Sequence, residues 1–374
     1  MNTFQIRGWC PDAWHPMAAG DGLLVRIRPR LARLTREQLL GLCDAALAHG
    51  NGQIDLTNRA SLQIRGVSEA AMPALLDRLI GLGLVSPDPV AESRHNLLVA
   101  PDWREGDDTV RIARDLAARL HELPELPGKV GFVVDAGVEL ALAGEAGDFR
   151  VERGRHGGLI LRAAGREHGA PLEPGAEAEA LIGLAHWFAG TGGPQARRMA
   201  RHTAPLPGFA EGKLLPVAAA RPVTSGAHRL GSALGVAFGQ SRAEALARLA
   251  AADMVAALRI TPWRLVLVEG QAEPAGFIRD PGDPLLHADA CPGKPLCPQA
   301  TVETRPLARR IASRITGHLH VSGCAKGCAR ASAASVTLTG RDGRFDLATG
   351  ARAGAPPILP GLTAAEVITH FGAA

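Results

Sequence analysis

The strongest constraint on the fold of this chain is an internal repeat. Residues Arg259 to Gly270 lie without a gap over the stretch that runs from Asp55 through Thr57 to Gly66, with Thr261 on Thr57 and Gly270 on Gly66. A helix signal precedes each stretch. Thr35 with Gln38 forms a capping-box pattern whose helix is closed by Gly50, and Ser241 with Glu244 repeats the box. Two copies of one small unit are therefore expected, each leading into a larger unit.

The copies differ in chemistry. Between 54 and 66, Ile54, Leu56, Leu62 and Ile64 fall on even positions, while Asp55, Thr57, Arg59, Ser61, Gln63 and Arg65 fall on odd ones, so a strand has one apolar and one polar face. The later copy has Trp263, Leu265 and Leu267 where the earlier has Arg59, Ser61 and Gln63. Only the first copy keeps a polar, basic face, which points to binding rather than solvation. Upstream, Leu23 to Arg28 alternates in the same way and sets Arg26 and Arg28 on one face.

Four of the six cysteines lie between 291 and 328, as Cys291-x5-Cys297 and Cys324-x3-Cys328. A thiolate quartet is what a [4Fe-4S] cluster needs, one sulfur for each corner iron. Zinc is the competing ligand; its paired cysteines usually stand two to four residues apart, so the first pair argues against it while leaving it open. Glycines and prolines around the cysteines suit a loop folded closely round an inorganic core, with Lys294, Lys326 and Arg330 flanking the thiols. Cys43, set among Leu39, Leu40, Leu42 and Leu47, reads as a buried inert thiol, and Cys10 with His15 as packing in an ordered N-terminal arm that also holds Trp9 and Trp14.

With 46% hydrophobic and 21% charged residues over 374 positions, the chain is that of a globular protein with more than one core. A net charge of +4 is too small for a general nucleic-acid binder. No apolar run reaches signal-peptide or membrane-span length, which makes a cytoplasmic protein with no membrane partner the expectation. Between the copies, strands are expected at 96–100, 130–134, 150–153 and 159–162 and helices at 107–122 and 177–189, with a helix at 68–82 before them. The Pro- and Ala-rich run 204–222 reads as a linker; strands near 317–321 and 335–339 and a closing helix from Thr363 follow.

The two cysteine pairs, Leu56-Thr-Asn-Arg59, Ser93-Arg-His-Asn96 and the duplicated unit together resemble the sulfite and nitrite reductase superfamily over nearly the whole chain. Within it, Arg7-Gly-Trp-Cys10-Pro11 and the run from His15 to Arg26 are most similar to the precorrin-3B synthase family of cobalamin-pathway monooxygenases. The resemblance implies an α+β fold, with two ferredoxin-like half units beneath two related α/β lobes. They divide as 1–88, 89–220, 221–283 and 284–374, the last carrying the cluster. A tetrapyrrole would be held between the lobes beside the cluster.

By the same resemblance, Arg26, Arg28, Arg59, Arg94 and Lys129 match residues that hold tetrapyrrole carboxylates or a bound oxyanion, and Arg94 and Lys129 are the catalytic candidates. Thr57, Asn58 and Gln63 fall on the tetrapyrrole-facing strand. Cys291, Cys297, Cys324 and Cys328 are the cluster ligands. Guanidinium forks are the strongest side-chain grip on a polycarboxylate ring, so the chemistry agrees. The implied reaction is hydroxylation of precorrin-3A at C20 by dioxygen with lactone formation, siroheme being bound only in the alternative, a sulfite or nitrite reductase.

The precorrin-3B synthase family is also associated with a mononuclear non-haem iron, but no facial triad stands out, and His15, His95 and His320 each read as polar or structural histidines. No Rossmann fingerprint or flavin motif is present, so NADH as ultimate donor would act through a separate reductase. One departure matters. Sulfite reductases share a Lys-x-Lys pair at the active site, whereas here Lys129 is followed two residues later by Gly131, which weakens the drive for binding sulfite and releases space for a bulkier substrate.

Overall fold

The computed structural model describes residues 11–272 and 275–373, so the readings made on Arg7, Trp9 and Cys10 lie outside the described residues. The architecture is four five-stranded sheets with helices packed on them. The first and third sheets are the two copies of the repeat. The first runs Met17–Ala19, Gly22–Ile27, Leu62–Val67, Gln53–Leu56, Gln240–Arg242; the third runs Gly226–His228, Gly231–Gly235, Leu265–Gly270, Val255–Ile260, Arg33–Thr35. Both are antiparallel throughout.

The last strand of each sheet comes from the other copy. Arg33–Thr35 pairs with Val255–Ile260, and Gln240–Arg242 pairs with Gln53–Leu56. Helices Arg36–His49 and Ala243–Ala251, which follow the exchanged strands, pack against one another. A single core results, in which Ile27, Leu42, Ile54 and Ile64 of one copy meet Leu246, Leu258, Val266 and Val268 of the other. No cut in the sequence separates the half units cleanly.

The alternation at 54–66 is not one strand but a hairpin, because Thr57 turns the chain. Its backbone N–H bonds Ser61 O at 2.9 Å, and its hydroxyl accepts from the N–H groups of Arg59 and Ser61. Thr261 repeats the turn through Trp263 and Leu265. Thr35 and Gln38 form the expected capping box, whereas Ser241 does not cap. It is drawn into the exchanged strand, and its helix starts at Ala243 without a side-chain cap.

The second sheet runs Ala170–Leu172, Leu159–Ala163, Phe149–Arg153, Phe132–Asp135, Leu97–Val99, and the fourth runs Leu359–Leu362, Arg344–Ala351, Ala334–Arg341, Leu319–Ser322, Ala288–Ala290. In each the first three strands of the chain are parallel and the last two antiparallel, so the lobes share one topology. Phe132, Phe149 and Phe188 centre the core of the first lobe. The run 204–222 is not a free linker: it bonds along this lobe, with Leu214 paired to Gly169 and Val217 donating to Arg153 O. Thr363 and Glu366 box the closing helix Ala364–His370. Among the described residues no helix is long and apolar enough to cross a membrane.

Buried charge fastens half units to lobes. Arg65 binds Asp21 at 2.7 Å and Asp55 at 3.5 Å, and reaches Leu296 O in the cysteine loop at 3.1 Å; Arg305 of the fourth-sheet lobe also meets Asp55, at 3.4 Å. In the other copy Arg259 binds Glu269 at 2.6 Å and donates to Pro101 O and Trp103 O of the first lobe, with its guanidinium 4.0 Å over the Trp103 ring. Arg33 on the exchanged strand completes this knot at 2.7 Å from Glu269. Removing the shared carboxylate strands the buried Arg259 guanidinium beside Arg33, so Glu269→Ala is expected to cost about 3–5 kcal/mol. Urea unfolding checks this, and a loss below about 1 kcal/mol, the scale of a surface pair, would remove the knot from the fold's supports.

Candidate functional site

The parallel strands Ala288–Ala290 and Leu319–Ser322 lie side by side, and their C-terminal ends deliver Cys291 and Cys324. Ligand sites in sheets of this kind form where such strand ends open. Gly323 N–H donates to Cys291 Sγ at 3.1 Å, Ser322 Oγ holds Cys324 O at 2.7 Å, and Cys297 N–H bonds Gly293 O at 2.8 Å. The first cysteine loop packs against the first half unit through Gly20. Its N–H bonds Leu296 O at 3.0 Å, and a Cβ on it would stand 2.0 Å from Pro295 O.

All four thiols open into one cavity of about 440 Å³. Burial pushes the Cys291 and Cys328 thiols up, and the neighbouring thiols of the quartet push them further. The shared cavity lining is what sets the four cysteines round a common space. Among the described residues no three His, Cys, Asp or Glu side chains converge on a single ion. A cube-shaped cluster takes one thiolate per corner iron and spreads its ligands more widely, so this donor set fits it.

The first half unit supplies the opposite wall. Arg26, Thr57, Asn58 and Gln63 of this unit, joined by Lys129 of the first lobe, line the same cavity as the cysteines. Arg26 and Gln63 face each other across paired strands, and with the Gln63 amide turned so that its oxygen meets the guanidinium, it accepts from Arg26 Nε at 3.0 Å and Nη2 at 2.7 Å. Thr57 spends its hydroxyl on the turn, so it shapes the wall. Arg28 and Arg59 lie in an adjoining hollow that shares Arg26 with the cavity. Arg28 turns toward Glu92, and Arg59 reaches Asn96 Oδ1 and Lys129 O, each at 3.4 Å. Arg94 is not brought to the cavity. It donates to His121 O at 2.8 Å and lines a third hollow, joined to the second through Asn96 and Gly128.

The histidines are accounted for separately. His15 is exposed beside Asp12. Burial, then the charges of Arg30 and Arg28, push His95 down to about 3. His320 is fully buried with neither ring nitrogen bonded, and burial pushes it down to about 4.

Comparison with known proteins gives this geometry its family. Residues 15–82 match the nitrite/sulfite reductase ferredoxin-like half domain. A precorrin-3B synthase from Sinorhizobium sp is 30% identical over 403 residues, covering 94% of this chain and 84% of that protein. The chain belongs to the precorrin-3B synthase family. A ferredoxin–nitrite reductase from Synechococcus elongatus is 27% identical over only 38% of this chain and 30% of its own length. The NirA protein of Mycobacterium tuberculosis shares the fold, with a TM-score of 0.64, 17% identity and coverage of 92% of this chain and 78% of its own.

In this precorrin-3B synthase family member the space expected beside Gly131 is not open. A Cβ there would stand 2.9 Å from Asn96 Nδ2 and 3.0 Å from Arg59 Nη1, so these side chains occupy the position a larger residue would need. The sequence reading also missed Arg264, Arg305 and Arg65 as cavity-lining cations. Arg264 could have been found from the repeat, since it falls on Ala60, in a turn already marked by Thr57 and Thr261. Asp289 was missed too. Burial works against its charge, but the His318 hydrogen bond and Arg264 hold its carboxyl at about 2.

The depressed His95 gives a pH dependence with a definite sign. The fold prefers the neutral ring, so its contribution is complete above the ordinary value of 6.5 and is lost as pH falls toward 3. By pH 5 that loss is about 2 kcal/mol. Unfolding free energies from urea titrations between pH 7 and 5 should fall by this amount in the wild type and by clearly less in His95→Gln; equal slopes would show that His95 is not the group responsible.

Proposed function

We propose that this chain is an oxygen-dependent precorrin-3B synthase, converting precorrin-3A to precorrin-3B by C20 hydroxylation and lactone formation in aerobic cobalamin biosynthesis. The observation that carries the reading is one cavity shared by four thiols and a cationic strand face. Cys291, Cys297, Cys324 and Cys328 hold a [4Fe-4S] cluster, which supplies one-electron transfer when bound. The substrate is a flat ring with acetate and propionate arms. Arg26, oriented by Gln63, takes one arm, with Asn58 and the Thr57 turn closing the wall. Arg28 and Arg59 receive arms in the adjoining hollow, and Lys129, which lines the thiol cavity, acts at the reacting edge, while Arg94 stays in the third hollow and takes no part there.

One oxygen atom of dioxygen enters the substrate and the other leaves as water, with two electrons from NADH through a separate reductase. The mononuclear non-haem iron associated with the family finds no three-residue ligand group among the described residues, and no step is assigned to it. A siroheme-dependent reductase is the weaker reading. The nitrite reductase similarity covers 38% of this chain, and Gly131 stands where a second active-site lysine would be needed.

Anaerobically purified protein should show a broad iron–sulfur absorption and, with precorrin-3A, dioxygen and a reductant, yield a product heavier by one oxygen atom. An isobacteriochlorin spectrum in the isolated protein would establish the reductase instead. Cys297→Ser is expected to abolish the EPR signal of the reduced cluster, and an undiminished signal would refute that ligand. Arg59→Ala should weaken tetrapyrrole binding by about 1.5 kcal/mol or more, the value of a charged hydrogen bond. Unchanged affinity in a titration would take Arg59 out of the site.

A further inference from the structure

Arg264 reaches out of the second half unit into the lobe that carries the cysteines. It lies in the turn between Val255–Ile260 and Leu265–Gly270, and its left-handed backbone (φ 59°) matches that of Ala60 (φ 49°) in the other copy. Such a conformation is unfavourable for a residue with a Cβ, so a long side chain there needs compensation. Its guanidinium finds it in two places. Nη1 pairs with Asp289, and Nη2 donates to Ala329 O at 2.8 Å.

Those two contacts touch both cysteine loops. Asp289 lies on the strand Ala288–Ala290, two residues before Cys291, and Ala329 directly follows Cys328. The other carboxylate oxygen of Asp289 meets His318 Nε2 at 2.7 Å and Arg330 Nη1 at 3.1 Å. One arginine from the second copy therefore ties together the chain beside the first and last thiols of the quartet. Two guanidinium groups, Arg264 and Arg330, against the one Asp289 carboxylate leave a net positive charge behind the thiols. Nearby charge and bonding to the ligand loops are what set the potential of such a centre.

We propose that Arg264 is a positioning residue that clamps both cysteine loops to the second half unit and, together with Asp289, sets the reduction potential of the iron–sulfur cluster. The proposal rests on the cluster reading above. Removing the cation makes an added electron less favourable; removing the carboxylate makes it more so.

Redox titration of the anaerobically purified full chain, followed by EPR, tests this in two variants. Arg264→Gln should lower the equilibrium constant for one-electron reduction about tenfold, a shift of about 59 mV to more negative potential. Asp289→Asn should shift the potential in the opposite direction. A purely structural role would loosen both loops alike and move the two variants together, so shifts of the same sign, or none, overturn the proposal. Where Arg264→Gln does not hold iron, Asp289→Asn decides alone, and a potential at or below wild type overturns it. Wild-type protein without acid-labile sulfide would instead defeat the cluster reading, which the sulfide assay separates from the present claim.

Discussion

Everything in this molecule depends on how two sheets bury their charged faces. In the alignment that sets Thr57 on Thr261, Asp55 falls on Arg259 and Arg65 falls on Glu269. The ion pair is kept and its sign is reversed. In the first copy it recruits Arg305 and the Leu296 carbonyl of the cysteine lobe; in the second it takes Pro101 and Trp103 of the other lobe. A buried charge left unpaired costs several kcal/mol, so a half unit docked on the wrong lobe would strand its arginine or its carboxylate. Sign reversal thus turns a duplicated surface into two different addresses.

The exchanged strands make the same pairing available to the site. Because Gln240–Arg242 completes the first sheet and Arg33–Thr35 the third, the hairpin turns at Thr57 and Thr261 belong to one rigid body with one core. Both turns supply the cavity, Asn58 from one and Arg264 from the other. A site assembled on two separately moving units would lose the close spacing that the cysteine loops require.

Much of this was legible because the signals were local. The Thr35 box, the helix from Thr363 and the cysteine spacing each depend on residues within a few positions of one another. Ser241 carried the same local signal and failed, because the ladder with Gln53–Leu56 claimed the backbone first. The polar face at 54–66 lines the cavity, but one alternating run hid a turn, since a threonine-built hairpin needs no glycine or proline at its tip. Asp289, Arg264 and Arg305 were invisible for another reason. Their partners lie 25 to 250 residues away, and nothing in the neighbouring sequence distinguishes a committed charge from a solvated one.

That distinction also sorts the cations around the cavity. Arg65 and Arg305 are neutralised by Asp21 and Asp55, and Arg264 by Asp289, so their charge is spent on holding the walls together. Arg26 also meets the Gln63 amide, which orients the guanidinium fork and brings no negative charge of its own. An amide partner orients an arginine and leaves that contact neutral, whereas a carboxylate would have competed with any acidic ligand. Gly131 serves the neighbouring hollow in a related way, by leaving room for Arg59 and Asn96 where a side chain would have displaced them. Under the proposed function, Arg26 would meet a polycarboxylate ring with the Gln63 amide beside it and Arg59 with Asn96 beside it, while Arg28, turned toward Glu92, would have to give up part of that contact to take an arm.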